Sequence, residues 1–283
     1  MSGVRAIEHR LRTLAEIGEV MSALKNLALV EVARLRRFAP AQQRVVQTVE
    51  AATADLLAHF PQPAAEPARE VFLLIGSERG FCGNYNETVA AEFARRAPGD
   101  ALVVVVGRRL AMRLGRRVDA AAVLEGPSVA EEVASAITRL VAALERLPVP
   151  PGMLLPALTV LSQGMDEHGG EIRSTRPFAP KVDSAAQFSH PPHLNLDPFA
   201  LFRELADHYL FAVLHGLFYS ALLAENEHRL QHLEGALRRI ERTRTDLALR
   251  RNALRQEEIT EDIEVILLSA AAASEGDHSA VSR

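Results

Sequence analysis

The chain has 283 residues, 48 % apolar and 24 % charged, with a mean hydropathy of +0.03. That composition excludes disorder as the main state and is long enough for one large domain or two ordinary ones. Basic residues number 32 against 36 acidic, a formal charge of −4, so no basic excess marks a dedicated nucleic-acid binder. The single cysteine, Cys82, excludes an internal disulfide and a multi-cysteine metal site. Arg5, Glu8, Arg10, Arg12, Glu16 and Glu19 leave no room for the apolar centre of a secretory signal, which with the lone thiol leads us to expect a cytoplasmic setting. Apolar runs such as 101–106 and 265–273 fall far short of the roughly 20 residues a spanning helix needs, so membrane contact is expected only through partners. Lys25 and Lys181 are the only lysines; we read the arginine excess as codon bias, although Ala, Leu, Arg and Glu also favour helix.

Apolar residues at Val4, Ile7, Leu11, Leu14, Ile17, Met21, Leu24, Leu27 or Ala28, Val32 and Leu35 are spaced by threes and fours, which predicts one long helix with a coiled-coil seam. The stripe resumes beyond Pro40 at Val45, Val49, Ala52 and Leu56, so a kink rather than a stop is expected there. We assign residues 1–58 to this helix, about 80 Å at 1.5 Å per residue. A proline-rich boundary follows at His59–Arg69.

Residues 70–190 read as an inserted α/β globular domain. Glu70–Gly76 and Ala101–Gly107 are continuous apolar runs of the kind found in buried parallel strands, with Val118–Leu124 and Leu154–Ser162 as weaker strands. Helical spacing separates them at Asn86–Arg96, Arg109–Leu114 and Ser128–Leu147, the last opened by an S-x-x-E capping box from Ser128 to Glu131. This alternation predicts a Rossmann-like parallel α/β layer fold. After a second proline-rich passage, Pro177–Pro198, residues 199–273 contain no proline and carry a second long apolar stripe, predicting a helix of about 110 Å; residues 274–283 are expected to be a flexible tail. A helix longer than a compact chain is wide must be covered by another, and only the N-terminal one is long enough. The fold class is therefore α/β, with a long antiparallel coiled coil of N- and C-terminal helices around the inserted domain.

The most individual segment is G-S-E-R-G-F-C-G-N-Y-N at Gly76–Asn86, directly after the first strand. It matches neither G-x-x-x-x-G-K-[ST] nor G-x-G-x-x-G, so we read its glycines as a tight strand-to-helix turn with Asn86 near the cap. Cys82 lacks a neighbouring base in sequence and is not expected to be a nucleophile. His190 and His193 make an H-P-P-H pair, while His228 and His232 are spaced to share one helix face and could bind a metal, but they lack the glutamate of a zinc-protease helix and are read as a solvated face. A basic block at Arg238, Arg239, Arg242, Arg244, Arg250, Arg251 and Arg255 gives way to Glu257, Glu258, Glu261, Asp262 and Glu264; with no aromatic for base stacking, it reads as a solvated coiled-coil face or a dock for acidic loops.

Taken together, these residues resemble the gamma subunit of F-type ATP synthases. The resemblance is carried by the G-x-C-G-x-x-N turn at Gly80, Cys82, Gly83 and Asn86, by A-E-N at Ala224–Asn226, and by N-A-L-R-Q-E-E-I-T at Asn252–Thr260. The stretch Ser22–Leu29 departs from the common K-A-M-x-M-V-A-A, and with L-A-E-I-G-E-V-M at Leu14–Met21 is similar to the gamma subunits of the alternate N-ATPase subclass. The resemblance implies a non-catalytic central-stalk rotor subunit that carries torque between a membrane rotor ring and a catalytic ring. Its implied partners are the alpha and beta subunits, the epsilon subunit and the membrane c-ring, with no nucleic acid. It also implies no catalytic residue, cofactor or metal, and a peripheral place on the cytoplasmic face of the inner membrane. By the same resemblance Arg255 and Gln256 meet a beta-subunit loop, Leu24 and Lys25 face the beta lever region, and Ile259, Ile263 and Ile266 belong to the subunit-contact surface, Ile263–Ala273 forming an apolar tip in its bearing. Two other readings remain open: a free-standing coiled-coil scaffold or adaptor, and a nucleotide-binding enzyme built on residues 70–162.

Overall fold

The structure is a computed structural model, which describes residues 2–60, 69–96, 99–148, 157–166, 169–177, 190–191 and 193–280. Lys181, His168 and most of the two proline-rich passages lie outside them. The chain begins with one helix, α1 (Ser2–His59), that continues through Pro40. The α/β region runs β1 (Val71–Ile75), α2 (Tyr85–Arg96), β2 (Leu102–Val106), α3 (Arg108–Leu114), β3 (Ala122–Leu124), α4 (Val133–Leu144), β4 (Leu158–Asp166) and β5 (Gly169–Thr175). It ends in α5 (Pro198–Ala280), which remains helical past residue 273, where the expected tail began; residues 281–283 lie outside the description.

The sheet order is β3-β2-β1-β4-β5. β1 pairs parallel with β2, Val71 opposite Leu102, and with β4, Val71 opposite Leu158, while β2 pairs parallel with β3. The unforeseen element is β5, antiparallel to β4, with Val160 opposite Thr175. Its segment, G-G-E-I-R-S-T, carries no apolar run, so the sheet is mixed rather than purely parallel. An edge strand needs only one covered face, and a polar sequence suffices for it.

Strand alternation divides the core into two layers. Val71, Leu73, Ile75, Val104, Val106, Leu158 and Val160 point to one face, where they meet α4 through Ile137 and Leu140, α1 through Leu35, and α5 through Leu214, Phe218 and Leu222. Phe72, Leu74, Val103, Val105 and Leu161 point to the other, against Val89 and Phe93 of α2 and Leu110 and Leu114 of α3. The ring of Phe72 meets Phe93 edge-on at 5.5 Å. Because α1 and α5 supply one wall of this core, packing divides the chain inside them: one compact unit holds Met1–Lys25 with Leu233–Arg283, the other Asn26–His232. The long helices are thus not separate from the α/β region at residues 58 and 199; apolar side chains from both complete its layer.

In each unit the two helices run antiparallel. Within the first, a Cβ on Gly3 would lie 3.8 Å from Leu254, one on Gly18 would lie 3.9 Å from Ile240, and Lys25 pairs with Glu234 at 3.6 Å. Within the second, Arg36 bonds Glu227 at 2.6 Å, the Phe38 and Tyr219 rings lie 6.2 Å apart, Gln42 Nε2 donates to Ala212 O at 2.7 Å, and Tyr209 donates to Glu50 at 3.0 Å. The capping box at Ser128 forms one residue later than the spacing suggests. A 3-10 turn, Ala130–Glu132, tightens the start of α4, so Glu132 rather than Glu131 accepts the Ser128 N–H at 2.7 Å. Glu131 instead pairs with Arg34 of α1, and buried Glu31 accepts the Ala130 N–H at 2.6 Å.

Leu35→Ala tests the wall that α1 supplies. Leu35 is 1 % exposed, and its truncation should cost about 2–5 kcal/mol of the α/β unit's stability in denaturant unfolding. An unchanged midpoint would remove α1 from this core.

Candidate functional site

The turn between β1 and α2 is built to bring three segments within hydrogen-bonding reach. Gly76 leaves the strand where a Cβ would lie 2.2 Å from Leu110 Cβ, so only glycine fits. Asn86, one residue into α2, reaches back across the turn: its Oδ1 accepts the Ser77 N–H at 2.9 Å and its Nδ2 donates to Ser77 Oγ at 2.8 Å. Asn86 therefore closes the loop itself, an asparagine used as a turn clasp. Gly83 has φ +58, and Phe81, a non-glycine at φ +65, has its ring 48 % exposed. Backbone strain at Phe81 persists only because its neighbours are held on both sides.

They are held by α5. Glu225 and Arg229, one helical turn apart and both buried, form an ion pair beneath the turn. Arg229 donates from Nε to Gly80 O at 3.1 Å, from Nη1 to Asn226 Oδ1 at 2.7 Å and from Nη2 to Cys82 Sγ at 3.2 Å, besides Glu225. The Cys82 thiol donates to the carbonyls of Arg79 and Gly80, both at 3.3 Å. Burial pushes the Glu225 carboxyl above the ordinary range, opposed by Arg229 and by the backbone N–H groups of Arg79 and Glu78. Desolvation, with the Glu225 charge, raises the Cys82 thiol to about 11. Tyr85, fully buried, adds a bond from its hydroxyl to Ala221 O at 3.2 Å. The sequence motifs around Cys82 and around Ala224–Asn226 are thus two sides of one polar cluster. Arg229 was not singled out from sequence, although the Glu225–Arg229 spacing of four carried the signal.

His228 is not on a solvated face. It is half-buried, its ring edge-on to Tyr85 at 5.7 Å, and Gln163 Nε2 donates to its Nε2 at 2.9 Å. Burial holds its pKa below the usual value, against the charge of Glu227, so the neutral ring is the acceptor. His232 is exposed and does not share this contact. Among the described residues no group of three or more His, Cys, Asp or Glu could hold a metal ion.

The remaining residues picked from sequence stand apart from this cluster. Leu24 is half-buried, and Lys25, also half-buried, is engaged by Glu234. Arg255 and Gln256 are exposed neighbours on α5; Ile259, Ile263 and Ile266 are 54 %, 51 % and 64 % exposed. Side chains from Ser269 to Ala273 lie outside the described residues.

Two outcomes follow from the buried cluster. Arg229→Met strands a buried carboxylate and should cost about 3–5 kcal/mol in equilibrium unfolding, whereas Glu225→Leu/Arg229→Met should recover most of that loss; a double variant no better than the single one would contradict the pairing. Modification of Cys82 by a disulfide reagent at pH 8 should run about 100-fold slower in the folded chain than in denaturant, and rise roughly tenfold per pH unit toward pH 11. Equal rates would show an accessible, unshifted thiol.

The sequence profile of the ATP synthase family matches residues 3–273. The ATP synthase gamma chain of Heliobacterium modesticaldum is 28 % identical over 156 residues, spanning 50 % of this chain and 53 % of that one. This chain therefore aligns with about half the length of that relative. The gamma chain of Caldanaerobacter subterraneus is 20 % identical over 297 residues, 95 % of this chain and 99 % of that one. Among solved structures, a chain of the Euglena gracilis mitochondrial ATP synthase, an assembly of OSCP, F1 and c-ring in rotational state 3, superposes with a TM-score of 0.70 at 13 % identity, covering 98 % of this chain and 96 % of that one. With that fold and a profile match over nearly its whole length, this chain belongs to the ATP synthase gamma-chain family.

Proposed function

We propose that this chain is the central-stalk rotor subunit of an F-type ATP synthase or ATPase, transmitting torque between a membrane ion-driven ring and a catalytic ring of alpha and beta subunits. The observation that carries this reading is the end of α5. That end lies beyond Leu254, which faces Gly3 of α1. There Ile259, Ile263, Val265, Leu267 and Leu268 are 51–71 % exposed. Apolar surface of this extent on a helix is a surface for another protein. Low polarity suits a bearing, because a tip without directional hydrogen bonds can turn against its housing without a preferred angle. Arg255 and Gln256, on the turn before it, offer a guanidinium and an amide to a beta-subunit loop, and Leu24 and Lys25 lie toward the beta lever region. A shaft with different side chains around its circumference presents each beta subunit with a different surface and so biases their conformations in turn.

Catalysis in this reading belongs to the beta subunits. The Gly76–Asn86 turn has no nucleophile-and-base pair, its cysteine being held protonated by burial. The epsilon subunit and c-ring would meet the α/β unit, and the chain would sit peripherally on the cytoplasmic face of the inner membrane; among the described residues no helix is long and apolar enough to cross one. The departure at Ser22–Leu29 favours the alternate N-ATPase subclass.

Purification of the tagged chain from its native membranes in mild detergent should recover alpha- and beta-type subunits and a small ring protein. Recovery alone, or only as a self-oligomer, would return the function to a coiled-coil scaffold. In the assembled complex, Arg255→Ala/Gln256→Ala should lower ATP-driven ion pumping while thermal unfolding of the isolated chain is unchanged, since both side chains are exposed. Undiminished pumping would sink their assignment.

A further inference from the structure

The carboxyl ends of β1, β2 and β3 open into a cleft of about 780 Å3 that the torque-bearing role does not use. Its walls come from the loop after β1, the start of α3, the loop after β3 and the outer face of α4. In open parallel sheets this edge is where ligands bind.

The chain's own carboxylate occupies the usual anion position there. Glu78 Oε2 accepts the N–H groups of Arg108 at 3.0 Å and Gly126 at 2.9 Å, and Oε1 accepts from the Arg108 guanidinium. Gly107, at φ +107, lets the strand ends approach this closely: a Cβ would lie 2.6 Å from Gly76 O. Burial would raise the Glu78 pKa, but those backbone bonds and Arg108 outweigh it and hold it below its ordinary value, so the carboxylate stays charged. The other acids are engaged too, Glu125 by Arg108 at 3.1 Å and Glu132 by the Ser128 N–H.

Glu78 and Glu125 are paired with Arg108, and Glu132 accepts the Ser128 N–H; the other three guanidiniums around the cleft are Arg79, Arg109 and Arg139. Among the described residues none has a carboxylate within 4.0 Å; Arg139 reaches only Ser135 Oγ at 3.4 Å and Glu125 O at 3.3 Å. Arg109 Nη2 lies 3.5 Å from the Cβ position of Gly80, which places its charge against the loop that carries Arg79. That loop is fixed from behind, because Arg229 and Cys82 hold the carbonyls of Arg79 and Gly80. The backbone of that loop is therefore fixed before any ligand arrives, while the three arginine side chains are exposed and free to close on it.

The geometry points to a binding site for a phosphorylated small molecule, a phosphate ester or pyrophosphate, held by Arg79, Arg109 and Arg139. Guanidinium forks match tetrahedral phosphate oxygens with paired, charge-assisted hydrogen bonds, and the three arginines come from three different elements that converge on one concavity. Among the described residues no aromatic side chain lines the cleft, so recognition is of the phosphate and not of a nucleobase. This site is separate from the shaft reading and stands or falls without it.

The test is calorimetric titration of the purified full-length chain, at low salt and without metal, with inorganic pyrophosphate and in parallel with ATP. Pyrophosphate should bind, and ATP should bind within about threefold of it, because a base gains no stacking partner. Arg79→Ala/Arg109→Ala should weaken pyrophosphate binding by about tenfold or more. Arg116→Ala/Arg117→Ala, which removes as much charge from exposed positions outside the cleft, should leave it unchanged. Absence of pyrophosphate binding would overturn the site. So would ATP binding far tighter than pyrophosphate, or equal weakening in the two double variants, which would show diffuse surface charge.

Discussion

A buried ion pair, Glu225 with Arg229, is the constraint on which the α/β unit depends. Taking two charges out of water costs several kcal/mol per ion, and their mutual attraction offsets that only when the remaining hydrogen-bonding capacity is filled. Here it is filled by the turn after β1: Gly80 O and Cys82 Sγ for Arg229, and the N–H groups of Glu78 and Arg79 for Glu225. The pair adds little to net stability for its burial, but it makes only one docking of turn on helix acceptable. A slip by one residue in either segment would leave a charge unpaired in the interior.

That single docking carries consequences outward. It holds Phe81 at positive φ with its ring exposed, and it shields the Cys82 thiol, whose pKa burial raises. It also sets the back wall of the loop whose front face carries Arg79. Glu78, next to it, clasps the segments after β2 and β3 through backbone N–H groups, so strand ends, turn and helix are tied by hydrogen bonds. The rotor role proposed above would need such ties, since a force applied to α5 is lost wherever the chain can yield.

Much of this architecture was legible in the residues. The stripes of α1 and α5, the continuous apolar runs of β1 and β2 and the helical spacing of α2 to α4 are one-dimensional patterns, and burial enforces them wherever they occur. The turn was legible as a turn because glycines at Gly76 and Gly83 have little other use in such a setting. β5 was not legible: an edge strand with one neighbour needs no apolar repeat, and its pairing with β4 is decided by backbone hydrogen bonds that any sequence can make. The shift of the capping interaction from Glu131 to Glu132 has a similar origin, since a 3-10 turn changes the phase between spacing and geometry and Glu131 found Arg34 instead.

The sequence by itself determined the elements other than β5, their order, the antiparallel pairing of the chain's two ends and the motifs that place it in its family. These follow from periodicity and glycine chemistry, which are local. Tertiary structure alone decided that Leu35 and Phe218 wall the sheet, that His228 accepts from Gln163, and that Arg229 joins two distant motifs. It also decided which arginines stay unpaired at the strand ends. Those outcomes depend on which charges and apolar faces meet in space, and a carboxylate finds its partner by distance, not by position in the chain.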